Sequence, residues 1–172
     1  MQIQTPNFGE VTLLNFAEAS KEELLYVLKM RNHPEIKKWM YNQEDISEQQ
    51  HFDFVKKLKR DEEKKYFIVK QNESNVGSVN FTNINQEESS AEFGLYANPF
   101  LSIPSAGRIL EEVATKYAQD ELKLKYLKLE VFEQNTRAIS FYEKNGFIKM
   151  SYRQQDDRDV ICMQKRIQSG RE

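Results

Sequence analysis

The chain has 172 residues, a length that suits one domain whose core can form without disulfides. Its 25 basic and 27 acidic side chains nearly cancel, so no overall positive field is present to attract nucleic acid. The single Cys162 excludes an intrachain disulfide, and the two histidines stand too far apart for a zinc-ligand spacing.

Val11 to Phe16 reads as a first strand. Ser20-Lys21-Glu22-Glu23 is a capping box, in which the serine and the glutamate satisfy each other's backbone N–H. The helix it opens turns Leu24, Leu25, Val27 and Leu28 inward, and Pro34 ends it. Arg31 follows Leu24 by two helical turns, near the buried face. An arginine there either snorkels to water or holds an anion. Trp39-Met40-Tyr41 lies in a segment of weak periodicity, as a hydrophobic plug or as a stacking platform for a ring. Ser47-Glu48-Gln49-Gln50 is a second capping box, and its helix buries Phe54, Val55 and Leu58. His51 shares that face, either as a packed, hydrogen-bonded residue or as a functional one.

Tyr66–Lys70, Val76–Asn83 and Glu88–Tyr96 form an antiparallel meander, with a turn at Gln71–Asn75. Pro99 breaks the third of these strands. A loop of small residues, Ser102 to Gly107, leads into an amphipathic helix with Ile109, Leu110, Val113, Ala114, Tyr117 and Ala118 inward. Lys125–Phe132 is a strand with Leu127, Leu129 and Val131 on one face and Lys128, Glu130 and Phe132 on the other. Asn135 is a good N-cap and Gly146 a good left-handed stop for a short helix. Helical spacing places Ala138, Phe141 and Tyr142 on one side of it. Phe147–Arg153 and Val160–Ile167 close as a hairpin around a polar loop, Gln154–Asp159, and Gln168–Glu172 is a loose tail. Cys162 falls in an apolar run as a buried, inert thiol. No apolar run is long enough to span a bilayer, and no signal peptide is legible, so a soluble cytoplasmic protein without a membrane partner is expected.

The run Asn135-x-x-Ala138-x-x-Phe141-Tyr142-x-x-x-Gly146-Phe147 resembles the last motif of the GCN5-related N-acetyltransferases, which use acetyl-coenzyme A. The order of elements agrees with that family along nearly the whole chain. The resemblance implies an α/β (α+β) fold: one domain over residues 1–172, with a mixed, mostly antiparallel sheet flanked by helices. It implies that Ser105, Ala106, Gly107 and Arg108 form the pyrophosphate loop, where helix N–H groups face phosphates. The family's loop pattern begins with arginine or glutamine and carries two glycines. Here Ser102 and Ser105 replace the first two marked residues, and only Gly107 is kept. Leu95, Leu101, Asn135, Ala138, Phe141, Tyr142 and Lys144 complete the coenzyme set that the resemblance implies. Within it, the Leu95 N–H polarises the acetyl carbonyl and Tyr142 is the general acid to the sulfur. Glu130 is the base, directly or through water, or else an exposed carboxylate on a polar face.

A narrower resemblance, from about Arg31 onward, is to the amino-sugar N-acetyltransferases of pseudaminic acid biosynthesis, the pathway that decorates flagellins. It rests on Arg31-Asn32-His33-Pro34, Trp39-Met40-Tyr41, His51, Phe93-Gly94-Leu95-Tyr96 and Leu129-Glu130-Val131, together with the last motif. It implies a UDP-linked amino sugar as acceptor, with acetyl-CoA as co-substrate and no metal. Arg31, Trp39, Tyr41, His51, Thr82, Asn83 and Tyr96 would hold the sugar nucleotide. A diphosphate suits an arginine and uracil suits an aromatic face. Two rivals stand beside this reading: an acetyltransferase of ribosomal proteins or amino acids, and a non-catalytic CoA-binding regulatory module. The oligomeric state is left open, a homodimer included.

Overall fold

The computed structural model describes residues 1–167, so the expected tail at 168–172 lies outside the described residues. Its strands are β1 (Gln2–Thr5), β2 (Gly9–Asn15), β3 (Lys65–Gln71), β4 (Ser74–Asn85), β5 (Ser90–Ala97), β6 (Tyr126–Phe132), β7 (Ile148–Gln155) and β8 (Arg158–Arg166). Its α-helices are α1 (Lys21–Asn32), α2 (Pro34–Lys37), α3 (Glu48–Leu58), α4 (Ala106–Asp120) and α5 (Thr136–Lys144). The strands form one sheet in the order β1-β2-β3-β4-β5-β6-β8-β7. Every neighbouring pair is antiparallel except β5 and β6, which are parallel.

Two cores sandwich this sheet. On one face, α4 lays Ile109, Leu110, Val113, Ala114 and Tyr117 against Val11, Phe67, Val79, Phe81 and Phe93. On the other, α1 and α3 lay Leu24, Val27, Met30, Val55 and Leu58 over Phe16 and Ile68. Each fully buried aliphatic or aromatic side chain contributes roughly 1.5–3 kcal/mol, so the sheet's β1–β5 half is held from both sides. Among the described residues no helix of comparable length covers β6, β8 and β7 on that second face, and β7 is exposed along nearly its whole length.

Both capping boxes form. Ser20 Oγ accepts from Glu23 N at 3.1 Å while the Glu23 carboxylate accepts from Ser20 N at 2.8 Å. Glu23 also pairs with Lys70 at 2.7 Å, and that lysine first, then the Ser20 N–H, holds its carboxyl below the ordinary value. Ser47 and Gln50 repeat the arrangement at α3.

Several expectations are corrected. The first strand begins at Gly9 and stops at Asn15, because the Asn15 side chain caps a 3-10 turn that starts at Phe16. It also has a short partner, β1, whose four residues carry too little alternation to be legible. Met30, and not Leu25, completes the buried stripe of α1. Pro34 does end α1, but it also opens α2 at the first helical position, with His33 as the cap. The polar loop Gln154–Asp159 is nearly all strand. Only Asp156 and Asp157 turn, both with positive φ (47° and 63°), which is the two-residue hairpin geometry that matches strand twist. Cys162 is half-buried and not sealed in the core, on the part of the sheet that no helix of the described residues covers, with Glu130 as its register partner.

Candidate active site

The sheet parts in the middle. Pairing of β5 with β6 ends at Glu92 and Lys128, while β5 stays joined to β4 as far as Ala97 and β6 stays joined to β8 as far as Phe132. The two wings therefore diverge and leave a wedge. A cavity of about 1020 Å³ fills it, lined on its two sides by Phe93–Ala97 and Glu130–Phe132. That is at the upper end of the range for one small molecule, about 300–1,000 Å³, and suits two substrates side by side.

The wedge also exposes a backbone donor. Asn98 N bonds Val76 O at 2.9 Å, as a rung of the β4–β5 ladder. Rungs recur at every second residue of an antiparallel pair, so Tyr96 and Gly94 face β4 in the same way. Leu95, between them, points its N–H the other way, towards β6, beyond the place where β6 has stopped pairing.

Along one wall run the start of α4 and the face of α5. Ser105 takes a left-handed backbone (φ 59°) where the family pattern has glycine, a conformation that costs a residue with a Cβ about 1–2 kcal/mol. Ala106 N bonds Ile103 O at 3.2 Å, and the N–H groups of Gly107 and Arg108 have no partner among the described residues. They face the cavity as donors for an anion. Gly107 lies against α5: a Cβ there would meet Phe141 Cε2 at 3.2 Å. Asn135 spends its side-chain oxygen on Ala138 N at 3.3 Å, as the cap of α5.

Tyr142 is 8% exposed, packed edge-on to Phe93, Phe141 and Phe147, and lines the cavity. Among the described residues its hydroxyl has no hydrogen-bond partner, and it is not sealed from solvent. Burial first, and then the negative charge of Glu111, push its phenol well above the ordinary tyrosine value. It remains a protonated donor throughout the neutral range.

The opposite wall is built from α1, α2 and the connecting strap that follows them, residues 38–47. Arg31 Nη2 donates to Asn42 O at 2.6 Å and so holds the strap, while its Nη1 is buried without a partner. Trp39 lies on the same wall, 37% exposed. Tyr41 reaches across to β6 and β7. Its phenol donates to Glu130 Oε2, and Arg153 donates to the same oxygen from Nε at 2.9 Å and to the Tyr41 hydroxyl from Nη2 at 3.0 Å. The bonds that reach Glu130 all fall on its Oε2.

His51 is buried against Phe16, with Nε2 2.9 Å from Leu24 O. A carbonyl only accepts, so Nε2 carries the hydrogen and Nδ1 is the free acceptor. Burial holds this imidazole below its ordinary value, with the Leu24 carbonyl pulling the other way. The unfolded chain takes up a proton below about pH 6.5 that the fold resists, so stability is full above that pH and lost as pH falls through it. The melting temperature should drop on going from about pH 7.5 to 5.5, and His51→Gln should flatten that slope. Equal slopes in the two proteins would clear His51 of the effect.

Of the expected acceptor residues, Arg31, Trp39, His51 and Tyr96 line the cavity together. Tyr41 stands beside it through Glu130, and Thr82 and Asn83 lie outside the lining, Asn83 exposed at an irregular step of β4 with φ 48°. Of the expected coenzyme residues, Leu95, Leu101, Ser105, Ala106, Gly107, Arg108, Asn135, Ala138, Phe141 and Tyr142 line it, and Lys144 points to solvent on α5. Sequence reasoning missed Tyr66, Ser78, Asn80, Arg137 and Arg153. Ser78, Asn80 and Thr82 alternate with the apolar Val79 and Phe81, and that polar face of a central strand was the signal.

A split parallel pair, a backbone donor in the split and free N–H groups opening α4 define an acetyltransferase site, and the chain belongs to the GNAT acetyltransferase family, whose family model matches residues 24–147. It is an acetyl-CoA-dependent N-acetyltransferase. Among curated proteins it is 38% identical, over 90% of this chain and 94% of the other, to the acetyltransferase PseH of Campylobacter jejuni subsp. jejuni serotype O:23/36. The crystal structure of Campylobacter jejuni N-acetyltransferase PseH in complex with acetyl coenzyme A aligns with a TM-score of 0.72 at 34% identity, over 91% of this chain and 98% of that one. A spermidine N-acetyltransferase of Vibrio cholerae, in complex with CoA and spermine, shares the fold with a TM-score of 0.78 at 22% identity, over 90% and 94% of the two chains. No helix of the described residues is long and apolar enough to cross a membrane.

Proposed function

We propose that this enzyme moves acetyl from acetyl-CoA to the 4-amino group of UDP-4-amino-4,6-dideoxy-N-acetyl-β-L-altrosamine, in the cytoplasm, as a step of pseudaminic acid biosynthesis for flagellin glycosylation. The observation that carries this reading is the buried, unpartnered Nη1 of Arg31 on the wall that also presents Trp39. A buried guanidinium nitrogen left unpaired is costly, and a diphosphate would satisfy it. A polyamine or a basic peptide would need free carboxylates instead. The two glutamates on the lining are already engaged, Glu35 by Lys38 at 2.7 Å and Glu130 by Arg153. The likeness to PseH over most of the chain supports the same acceptor class.

In the reaction the amine nitrogen attacks the acetyl carbon, the C–N bond forms, the C–S bond breaks, and coenzyme A leaves as thiol. The free N–H groups at the start of α4 hold the pyrophosphate. The Leu95 N–H stabilises the charge that develops on the carbonyl oxygen. Glu130 accepts the proton of the amine, directly or through water, on the oxygen that Tyr41 and Arg153 leave free. The Tyr142 phenol donates to the departing sulfur.

Release of free thiol from acetyl-CoA tests the acceptor. The UDP-amino sugar should be turned over, while spermidine and an N-terminal peptide should be inert; the reverse pattern would overturn the assignment. Arg31→Ala should raise the acceptor KM and leave acetyl-CoA affinity near wild type. Equal loss of both in a folded protein would mean that Arg31 only anchors the strap. UDP alone should quench Trp39 fluorescence, and silence in that titration would remove the stacking role.

A further inference from the structure

The floor of the acceptor half of the cavity is polar where a packing surface would be apolar. Tyr66 of β3, Ser78 and Asn80 of β4, and Gly94 and Tyr96 of β5 all lie on the cavity face of the sheet. Their neighbours on the other face of β4, Val79 and Phe81, are fully buried beneath α4. Two of the polar floor groups are already satisfied: Ser78 Oγ donates to Phe67 O at 3.0 Å, and the Tyr96 phenol rests against Ser78. Asn80 differs. The phenol of Tyr66 sits against its amide. Apart from Tyr66, no group of the described residues takes up its two N–H donors and its carbonyl oxygen. It is not sealed away from solvent either. It stands directly opposite Gly94, and a Cβ on that glycine would come within 2.6 Å of Asn80 Oδ1. The missing side chain at Gly94 is therefore what lets the Asn80 amide lie across β5, next to the Leu95 N–H at which the chemistry takes place.

We propose that Asn80 is a specificity-determining residue: its amide hydrogen-bonds the ring hydroxyl adjacent to the amine that is acetylated, and Gly94 is small so that it can. This rests on the amino-sugar reading above. A sugar offers paired donors and acceptors around its amine, whereas the methylene chain of a polyamine offers none. An amide carries both a donor and an acceptor, so it can read such a substituent in either sense.

The test is a cycle of Asn80→Ala, Gly94→Ala and the double variant, with acetyl-CoA and the UDP-4-amino sugar as substrates. Asn80→Ala should lower kcat/KM for the sugar by about 10–100-fold, the range expected when a substrate's polar group loses its partner in a closed site. Calorimetric affinity for acetyl-CoA and the melting temperature should stay near wild type, a split that a purely structural asparagine would not give. Gly94→Ala should cause a loss of the same kind by displacing the amide. It should add little in the Asn80→Ala background, because neighbours acting through one interaction are not additive. If Asn80→Ala fails to fold, Gly94→Ala alone still has to show the sugar-specific loss. Full losses from both changes that multiply in the double variant would overturn the proposal, as would wild-type kcat/KM in Asn80→Ala. A wild type that leaves the sugar untouched refutes the acceptor assignment itself, and the role of Asn80 falls with it; a wild type that acetylates the sugar beside an unimpaired Asn80→Ala refutes the role of Asn80 alone.

Discussion

Tyr142→Phe is expected to lower kcat by about 10²–10⁴-fold, the usual worth of general-acid assistance. The ring keeps its edge contacts with Phe93, Phe141 and Phe147, so the packing of α5 on the sheet is preserved. The hydroxyl has no partner among the described residues, so its removal breaks no internal hydrogen bond, and both melting temperature and acetyl-CoA affinity should change little. The raised phenol bears on how the proton is used. Burial and Glu111 make Tyr142 a weaker acid than a free tyrosine, whereas a thiol has an ordinary pKa of about 8.5. Full proton transfer from so weak an acid to a thiolate runs uphill, so the phenol supports the departing sulfur by hydrogen bonding as charge builds on it, and the thiolate then takes its proton from water. The competing view makes Tyr142 a core residue whose hydroxyl serves a nearby backbone group. It calls for a stability loss of about 1 kcal/mol with nearly normal turnover. Full activity in a destabilised variant would sink the general-acid assignment.

Gly107→Val is expected to raise the KM for acetyl-CoA by roughly tenfold or more. A single Cβ at this position already meets the Phe141 ring at 3.2 and 3.4 Å, tighter than ordinary contact. The branched side chain must then push the start of α4 away from α5, and overpacking of this sort costs about 1–3 kcal/mol. The displaced groups are the N–H donors of Gly107 and Arg108, so the cost falls on pyrophosphate binding more than on the core beneath Ile109 and Leu110. Acceptor KM, measured at saturating acetyl-CoA, should be close to wild type. Calorimetry showing unchanged coenzyme affinity in a folded Gly107→Val protein would mean that the pyrophosphate lies elsewhere.

Much of this architecture is local and was therefore readable along the chain. The capping boxes at Ser20 and Ser47, the stripe from Ile109 to Ala118, and the Asn135 and Gly146 ends of α5 each depend on residues within a few positions of one another. Periodicity and capping act over that range, so α1, α3, α4 and α5 were placed nearly where they stand. The Asn-x-x-Ala-x-x-Phe-Tyr run identified the family for the same reason: one short helix carries all of it. Errors fell where a strand, a turn, the four-residue α2 or the inward face of α1 had to be judged without its packing partners. β1 is too short to declare itself before it pairs with β2, and Asp156-Asp157 is a tight turn only because β7 and β8 hold it in register.

The sequence by itself determined α1, α3, α4 and α5, most of the strands, the family, and the residues of α4 and α5 that line the cavity. Only the tertiary structure decided the rest, because each remaining feature depends on distant segments meeting. The direction of the Leu95 N–H follows from where β6 stops pairing with β5, and those strands are separated by the whole of α4. The capture of Glu130 by Tyr41 and Arg153 joins positions 89 and 23 residues away from it. Arg31 is fixed by the strap, which takes Nη2 at Asn42 O, while its Nη1 stays buried and unpaired. Asn80 became visible as a floor residue only once Gly94 lay opposite it. Residue type and spacing state what a side chain can do, but burial and the choice of partner are set by the packing of elements far apart in the chain.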